Sequence, residues 1–473
     1  LFRITALSLR KCLDYIEEKL PGNVLLQGLF NAYTEEVMAR RASEESINVP
    51  FKSIFPHGLH ADSGGLQMVT LGKGTVEKED RLKIYETQSK YADYAMSFDE
   101  IPAVFIDDTK YYMQSLIKEK GIESGNNLRE QFDYFATTDT TCRIVPIVQG
   151  WGIKDTDTFA KGLFAQFSDE EKNKMDIFAS GFQSTSVYAS AKRAFDLYRV
   201  DSIPKNAKQH LHLLGVTGFK RLIPILILIK NNMTEGLKSL SFDSVTLSMS
   251  YVMGGTVPSV NDFKNGKGKI KLGKKRNKDV DAYWQEIFDF WKDDPEFPFD
   301  DLDDMMEHSY YNSEGLTSGY QQYEHYLQAD EDKNYTKENK ELADFHFAKV
   351  LKQEQYYILY QVHNYVQILE SFLEDDIKLE HIFKGKDLVL FQALEKVTTD
   401  DDFNDWYEYL KKSTGFSILT MNSETKSSEE TTNLLFDEMN DNSKKERKKQ
   451  PSRVAKKPTK VEEDNIDAMN DLF

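Results

Sequence analysis

The sequence predicts an α/β fold built on a parallel sheet, either open or closed into a (β/α)8 barrel. Three observations predict it. Short apolar runs alternate with helical stretches up to about residue 255. The later runs end, one after another, in a polar residue or a glycine. Beyond about residue 280 the pattern changes to long helical periodicity, so the alternation belongs to the first part of the chain.

The elements follow in order. Leu7–Leu20 reads as an amphipathic helix closed by Pro21-Gly22-Asn23. Apolar runs come at Val24–Phe30, Tyr94–Glu100, Ile144–Gly150, Asp176–Phe182, His210–Val216 and Leu240–Leu247. Glu79–Asp93 is one of the helical stretches between them. Asp279–Tyr311 is acidic and aromatic, and Glu338–Glu374 reads as one long helix or two packed ones. A shorter helix is expected at about Asp400–Lys412. From about Met421 the chain carries few large apolar residues, so a disordered tail is expected.

The stretch His60–Val69, HADSGGLQMV, is a poor strand end on propensity grounds. An acid and paired glycines both weaken a strand, so the position must require a carboxylate and a close backbone approach. Asp99, Gln149, Gly181, Gly215 and Asp243 sit at the ends of the later runs. In a barrel all strand C-termini open onto one face, so these residues would converge there.

Net charge is −18, which argues against a uniformly basic nucleic-acid binder. Two cationic islands interrupt it. Lys264–Lys278 holds eight basic residues and no acidic one, among them Lys264, Lys267, Lys269, Lys271, Lys274, Lys275 and Arg276. Lys444–Lys460 holds nine basic residues and one acidic. A polyanion is the simplest partner for such islands. The two cysteines, Cys12 and Cys142, make no disulfide framework, so reduced, cytoplasmic chemistry is expected. The most apolar stretch, Leu222–Lys230, is too short to cross a membrane.

Six segments taken in order, DSGGLQ, SFDE, PIVQG, ASGF, HLLGV and SFDSV, resemble the tRNA-guanine transglycosylase superfamily over about Ala61 to Val245. The resemblance implies a (β/α)8 barrel that exchanges guanine in a nucleic acid for a 7-deazaguanine without cutting the strand. It implies Asp243 as the nucleophile at C1′ and Asp62 as the general acid/base. It implies a base pocket in which Asp99 accepts from the guanine N1–H and amine. Gln149 and the Gly181 N–H would address O6. Gly64 and Gly65 would let the backbone approach, Leu66 and Leu214 would sandwich the base, and Ser63 and Gly215 would be among the substrate-binding residues.

Two departures from the family pattern are informative. The family's zinc cysteines are missing: Ser313–Leu327 has none, although His363-Asn364 persists, so neither structural zinc nor any other cofactor is expected. His363 is then expected to be a helix-packing or capping residue. The family's Pro-Thr-Arg after the nucleophile is also absent from Ser244–Tyr251, and the lysine-rich segment follows. Together these resemble the DNA-directed branch, through which phages mask their genomes from restriction nucleases with bases such as preQ0. The expected partners are DNA and a 7-deazaguanine. An RNA-directed enzyme and a non-catalytic nucleic-acid-binding homologue are the alternatives. The C-terminal tip, Asn465–Phe473, resembles acidic-aromatic tails that dock on sliding clamps or other replisome proteins.

The expected organisation is therefore a barrel over 1–285 with a basic insertion at 264–278. A mostly helical region over 286–415 would complete or pack on it. A tail over 421–473 would carry the basic linker and the tip.

Overall fold

A computed structural model of the chain describes residues 2–7, 24–32, 58–64, 76–106, 109–181, 186–216, 218–243, 256–266, 278–308 and 337–418. Gly65, Leu66, Lys267, Lys269, Lys271, Lys274, Lys275, Arg276, the segments Ser244–Tyr251 and Ser313–Leu327, and the tail lie outside them, as does the side chain of Asp243.

The strands in chain order are β1 (Phe2–Leu7), β2 (Val24–Asn31), β3 (Leu59–Asp62), β4 (Tyr94–Met96), β5 (Ala103–Ile106), β6 (Thr109–Tyr112), β7 (Arg143–Val145), β8 (Ile147–Val148), β9 (Phe178–Ser180), β10 (His210–Leu213) and β11 (Ser239–Asp243). The principal helices among them are α1 (Lys78–Tyr91), α2 (Ile117–Ala136), α3 (Ile153–Leu163), α4 (Asp169–Asn173), α5 (Ala189–Tyr198) and α6 (Phe219–Lys230). After them come α7 (Val260–Lys264), α8 (Lys278–Trp291), α9 (Leu302–Glu307), α10 (Lys337–Leu373), α11 (Leu379–Ile382), α12 (Gly385–Leu394) and α13 (Asp400–Thr414). The molecule is thus a mixed α/β protein with parallel strands. It divides into two compact units, one of residues 1–30, 50–59 and 241–388, the other of residues 31–49, 60–240 and 389–473.

The second unit carries a parallel series. β3 pairs with β4 (His60 opposite Tyr94), β4 with β7 (Ala95 opposite Ile144), β8 with β9 (Val148 opposite Ser180), and β9 with β10 (Ser180 opposite Leu213). Pro146 separates β7 from β8 because it has no N–H to give the ladder. The chain compensates on both sides of the proline. Ile147 N donates to Ser97 Oγ at 3.0 Å, and Pro146 O accepts from Ala179 N at 2.8 Å. The run Arg143–Val148 therefore changes partner, from β4 on one edge to β9 on the other.

A buried cluster of Tyr94, Met96, Val145, Ile147, Ile177 and Ala179 lies under these strands, with Leu214 packed against it. Burying such side chains stabilises the fold by roughly 1.5–3 kcal/mol for each large aliphatic. Helices α2 and α3 meet on a glycine seam. A Cβ on Gly121 would come within 2.8 Å of Phe159 O, and one on Gly162 within 2.7 Å of Gly121 C. α13 begins at Thr399, whose Oγ1 accepts from Asp402 N at 3.1 Å, and ends at Gly415 in the left-handed region.

In the first unit β1 and β2 pair in parallel, Phe2 opposite Val24 through Leu7 opposite Leu29. The aromatic-rich stretch after residue 278 earns its composition in a seam between α8 and α10. Trp284 packs on Tyr357 at 5.5 Å, and Trp291 Nε1 donates to Tyr356 O at 3.1 Å. α10 is a single helix across the region where one or two were expected.

Two elements differ from the sequence reading. Strand β1 occupies Phe2–Leu7, so Leu7 ends a strand instead of opening the expected helix; the rest of that helix, to Leu20, lies outside the described residues. The antiparallel hairpin β5–β6 was not anticipated. The apolar run Leu222–Lys230 is the body of helix α6, which tolerates Pro224 within it.

Candidate functional site

The candidate site collects at the C-terminal ends of β3, β4, β8 and β9. Asp62 is the last residue of β3 and is half-buried. Ser63 follows, fully buried, and its Oγ donates to Ser97 O at 3.2 Å, which ties the end of β3 to the end of β4. Gly64 has φ +81°, a backbone conformation that favours glycine. From below, the Gln88 amide of α1 donates to Ala61 O at 3.1 Å and Met96 O at 2.9 Å. Gln131 of α2 in turn donates to Gln88 Oε1 at 2.8 Å. A buried and connected amide network of this kind fixes the two strand ends against each other.

Asp99 lies three residues beyond β4 and is only 6% exposed. Burial pushes its carboxyl up to about 7. A hydrogen bond from Gln149 pulls the other way, and the negative charges of Asp62 and Glu100 add to the rise. Asp99 is thus poised to change charge near neutral pH, and Asp62 is near enough to influence when it does. Gln149, the residue after β8, is 1% exposed and donates from Nε2 to Asp99 Oδ2 at 2.5 Å. Its Oε1 is buried and has no partner among the described residues. A buried amide oxygen left without a donor costs on the order of 1–3 kcal/mol, a cost that a ligand donor can offset.

Gly181, the residue after β9, abuts the same amide. A Cβ there would collide with Gln149 Nε2 and come within 2.5 Å of Ile147 Cγ2. Gly181 N donates to Val148 O at 3.0 Å within the ladder. The expected use of that N–H at a ligand oxygen is therefore corrected: the N–H is engaged in the sheet, and what Gly181 supplies is the space that a side chain would fill.

The other expected residues fall as follows. Leu214 is partly buried against the cluster beneath the strands. Gly215 is exposed, with φ +66°, and its O accepts from Arg221 Nη1 at 3.0 Å. Asp243 closes β11. Lys264 pairs with Asp376. His363 lies in α10, its ring 4.7 Å from that of Phe290, and burial lowers its pKa. Among the described residues no group of three or more His, Cys, Asp or Glu could hold a metal ion. With one histidine packed on a phenylalanine and no cysteine in Ser313–Leu327, the residues do not fit the zinc site that the resemblance would imply.

A second buried network escaped the sequence reading. Arg193 of α5 is 2% exposed and sits beneath Gln149 and Gly181. Its Nη2 donates to Val148 O at 2.8 Å, its Nη1 to Thr156 Oγ1 at 2.8 Å, and its Nε to Ser180 Oγ at 3.1 Å. Asp196, one helical turn on, accepts from Gly152 N at 3.0 Å and from Lys192. Tyr112 Oη accepts from Trp151 N at 3.3 Å and donates to Asp155 at 3.0 Å. The sequence did hold a signal, an Arg and an Asp three residues apart on a short, alanine-rich helix.

Comparison with protein-family models gives no match, and comparison with curated proteins gives none.

Proposed function

We propose that this protein is a DNA-guanine transglycosylase, exchanging guanine for a 7-deazaguanine through a covalent glycosyl–Asp243 intermediate. The observation that carries the reading is the buried Asp99–Gln149 pair, with its unpartnered amide oxygen, next to Asp62 and to Gly181, where a Cβ would press on the Gln149 amide. Carboxylate, amide oxygen and amide N–H are complementary to a purine edge bearing N1–H, an exocyclic amine and O6. A base lacking those groups would leave buried polar atoms unpaired.

The fold that goes with this reading is a closed (β/α)8 barrel with C-terminal helical additions. In its support, the run Arg143–Val148 pairs on both edges, with β4 on one side and β9 on the other. The finding that strand-end residues carry the polar chemistry suits a barrel.

The chemistry is written from the side chains. The Asp243 carboxylate attacks C1′ of the target nucleotide, and the C1′–N9 bond breaks through an oxocarbenium-like transition state. The Asp62 carboxyl gives its proton to the departing guanine. The incoming 7-deazaguanine returns a proton from N9 to Asp62 and attacks C1′, releasing the Asp243 carboxylate. Reaction at a base within duplex DNA requires that the nucleotide leave the stack. No step passes through a metal.

The preference for DNA rests on sequence, on the missing Pro-Thr-Arg and the basic segment 264–278, which suits a charge-driven hold on a backbone. The test is incubation of the protein with labelled guanine or 7-deazaguanine and either DNA or tRNA. Label in DNA supports the reading. Label in tRNA alone assigns the enzyme to RNA, and binding without label in either marks a non-catalytic homologue.

A further inference from the structure

We infer that Arg193 is a positioning residue that holds Gln149 and Gly181 in the geometry with which the pocket reads its base. The inference rests on the function proposed above for those two residues. Three of the guanidinium's N–H groups reach the residue immediately before each of them and the helix that follows. Val148 O precedes Gln149, Ser180 Oγ belongs to the residue before Gly181, and Thr156 Oγ1 lies on α3. One planar fork thus fixes β8, β9 and α3 relative to one another.

The turn that leads out of Gln149 is fastened by the same network. Trp151 N is held by Tyr112 Oη and Gly152 N by the Asp196 carboxylate, one turn from Arg193 on α5. Gly150 and Gly152 have φ of +111° and +81°, and a Cβ on Gly150 would lie 2.9 Å from the Thr156 backbone. The turn therefore has one tight path, and Arg193 is bonded on either side of it. Burial lowers the arginine only to about 10, so it remains a cation at neutral pH.

A charge this deep, with its named partners in the support of two pocket residues, sets how the Gln149 amide lies against Gly181. Loosening it alters how well the base is gripped and leaves the reacting carboxylates, Asp62 and Asp243, untouched.

The test is Arg193→Lys, which keeps the charge but replaces the fork with a single ammonium. Base exchange is measured as kcat and KM for guanine and for hypoxanthine, which lacks the 2-amino group. The expected result is a KM for guanine raised about tenfold or more, a narrowed guanine-to-hypoxanthine ratio, and kcat held within about threefold, in keeping with the effect of removing an outer support. A folded Arg193→Lys protein with unchanged KM and unchanged ratio overturns the inference. If Arg193→Lys does not fold, Ser180→Ala with Thr156→Val, which keeps the arginine, is read by the same criteria. If the wild-type protein exchanges no base at all, the functional reading fails separately. Hydrogen exchange then decides the positioning role. Acceleration in Arg193→Lys confined to 147–156 and 178–181 supports it, and unchanged or uniformly raised exchange overturns it.

Discussion

Asp99 links the stability of the protein to its proposed activity, and Asp99→Asn separates the two. The carboxyl has a folded pKa of about 7 against an ordinary 3.8, chiefly because it is buried. A raised folded pKa means that the native state holds its proton more tightly than the unfolded chain. The associated stability is complete below about pH 3.8 and is lost as pH rises towards 7. Three pKa units correspond to about 4 kcal/mol, an upper bound on the cost of charging this group in the folded protein. Asparagine keeps the shape and an acceptor for Gln149 Nε2 but has no charge to bury. At pH 8, Asp99→Asn should therefore raise the unfolding free energy by about 1–4 kcal/mol, with the gain vanishing near pH 4. The same change should abolish guanine binding, because the amide cannot accept from N1–H and the amine together. In the unmodified protein, guanine affinity should fall about tenfold for each pH unit below 7, since only the carboxylate form accepts. Urea unfolding at several pH values and calorimetric titration with guanine measure both effects. A variant less stable than the wild type at pH 8, or a guanine affinity indifferent to pH between 5 and 8, would refute the reasoning.

Two other outcomes follow from the same geometry. Gly181→Ala should leave the protein folded but weaken base binding by about tenfold or more, because its Cβ displaces the Gln149 amide; an unchanged dissociation constant by calorimetry counts against the pocket. His212 of β10 is fully buried, and burial lowers its pKa from 6.5 to about 3. The unfolded chain then binds the proton that the folded chain refuses, so stability falls as pH drops from about 6.5 towards 3, by about 1.4 kcal/mol per unit from this group alone. His212→Gln should flatten that acid limb in urea titrations, and an identical slope in the variant would show that another group controls it.

The parts of the fold legible in the sequence were those where one physical rule dominates. The runs at Tyr94, Ile144, Asp176, His210 and Leu240 became strands because each combines an apolar stretch with a polar or glycine stop, and the run at Val24 became one on its apolar residues. Asp99, Gln149 and Gly181 stood at the ends of three of them and Asp62 in the stretch after His60, and the structure joins these four through charge, hydrogen bond and close approach. β1 was missed because a six-residue strand gives too short a period to be told from the start of a helix. The hairpin β5–β6 was missed because its two strands are four residues each. Arg193, Asp196 and Asp155 stayed hidden for a different reason. Pattern reading assigns charges to the solvent side, and only three-dimensional pairing shows these as interior. The Gly181 N–H was assigned to a ligand for want of knowing the ladder, which claims it for Val148.

The central claim is covalent base exchange by this chain, and trapping the intermediate tests it most directly. Wild-type protein incubated with guanine-containing DNA and then denatured should carry a DNA adduct on Asp243, and added 7-deazaguanine should discharge it with the new base in the strand. Asp243→Asn should form no adduct while still binding DNA. An adduct that survives in Asp243→Asn, or wild-type protein that forms none and leaves the DNA bases unchanged, would contradict the account.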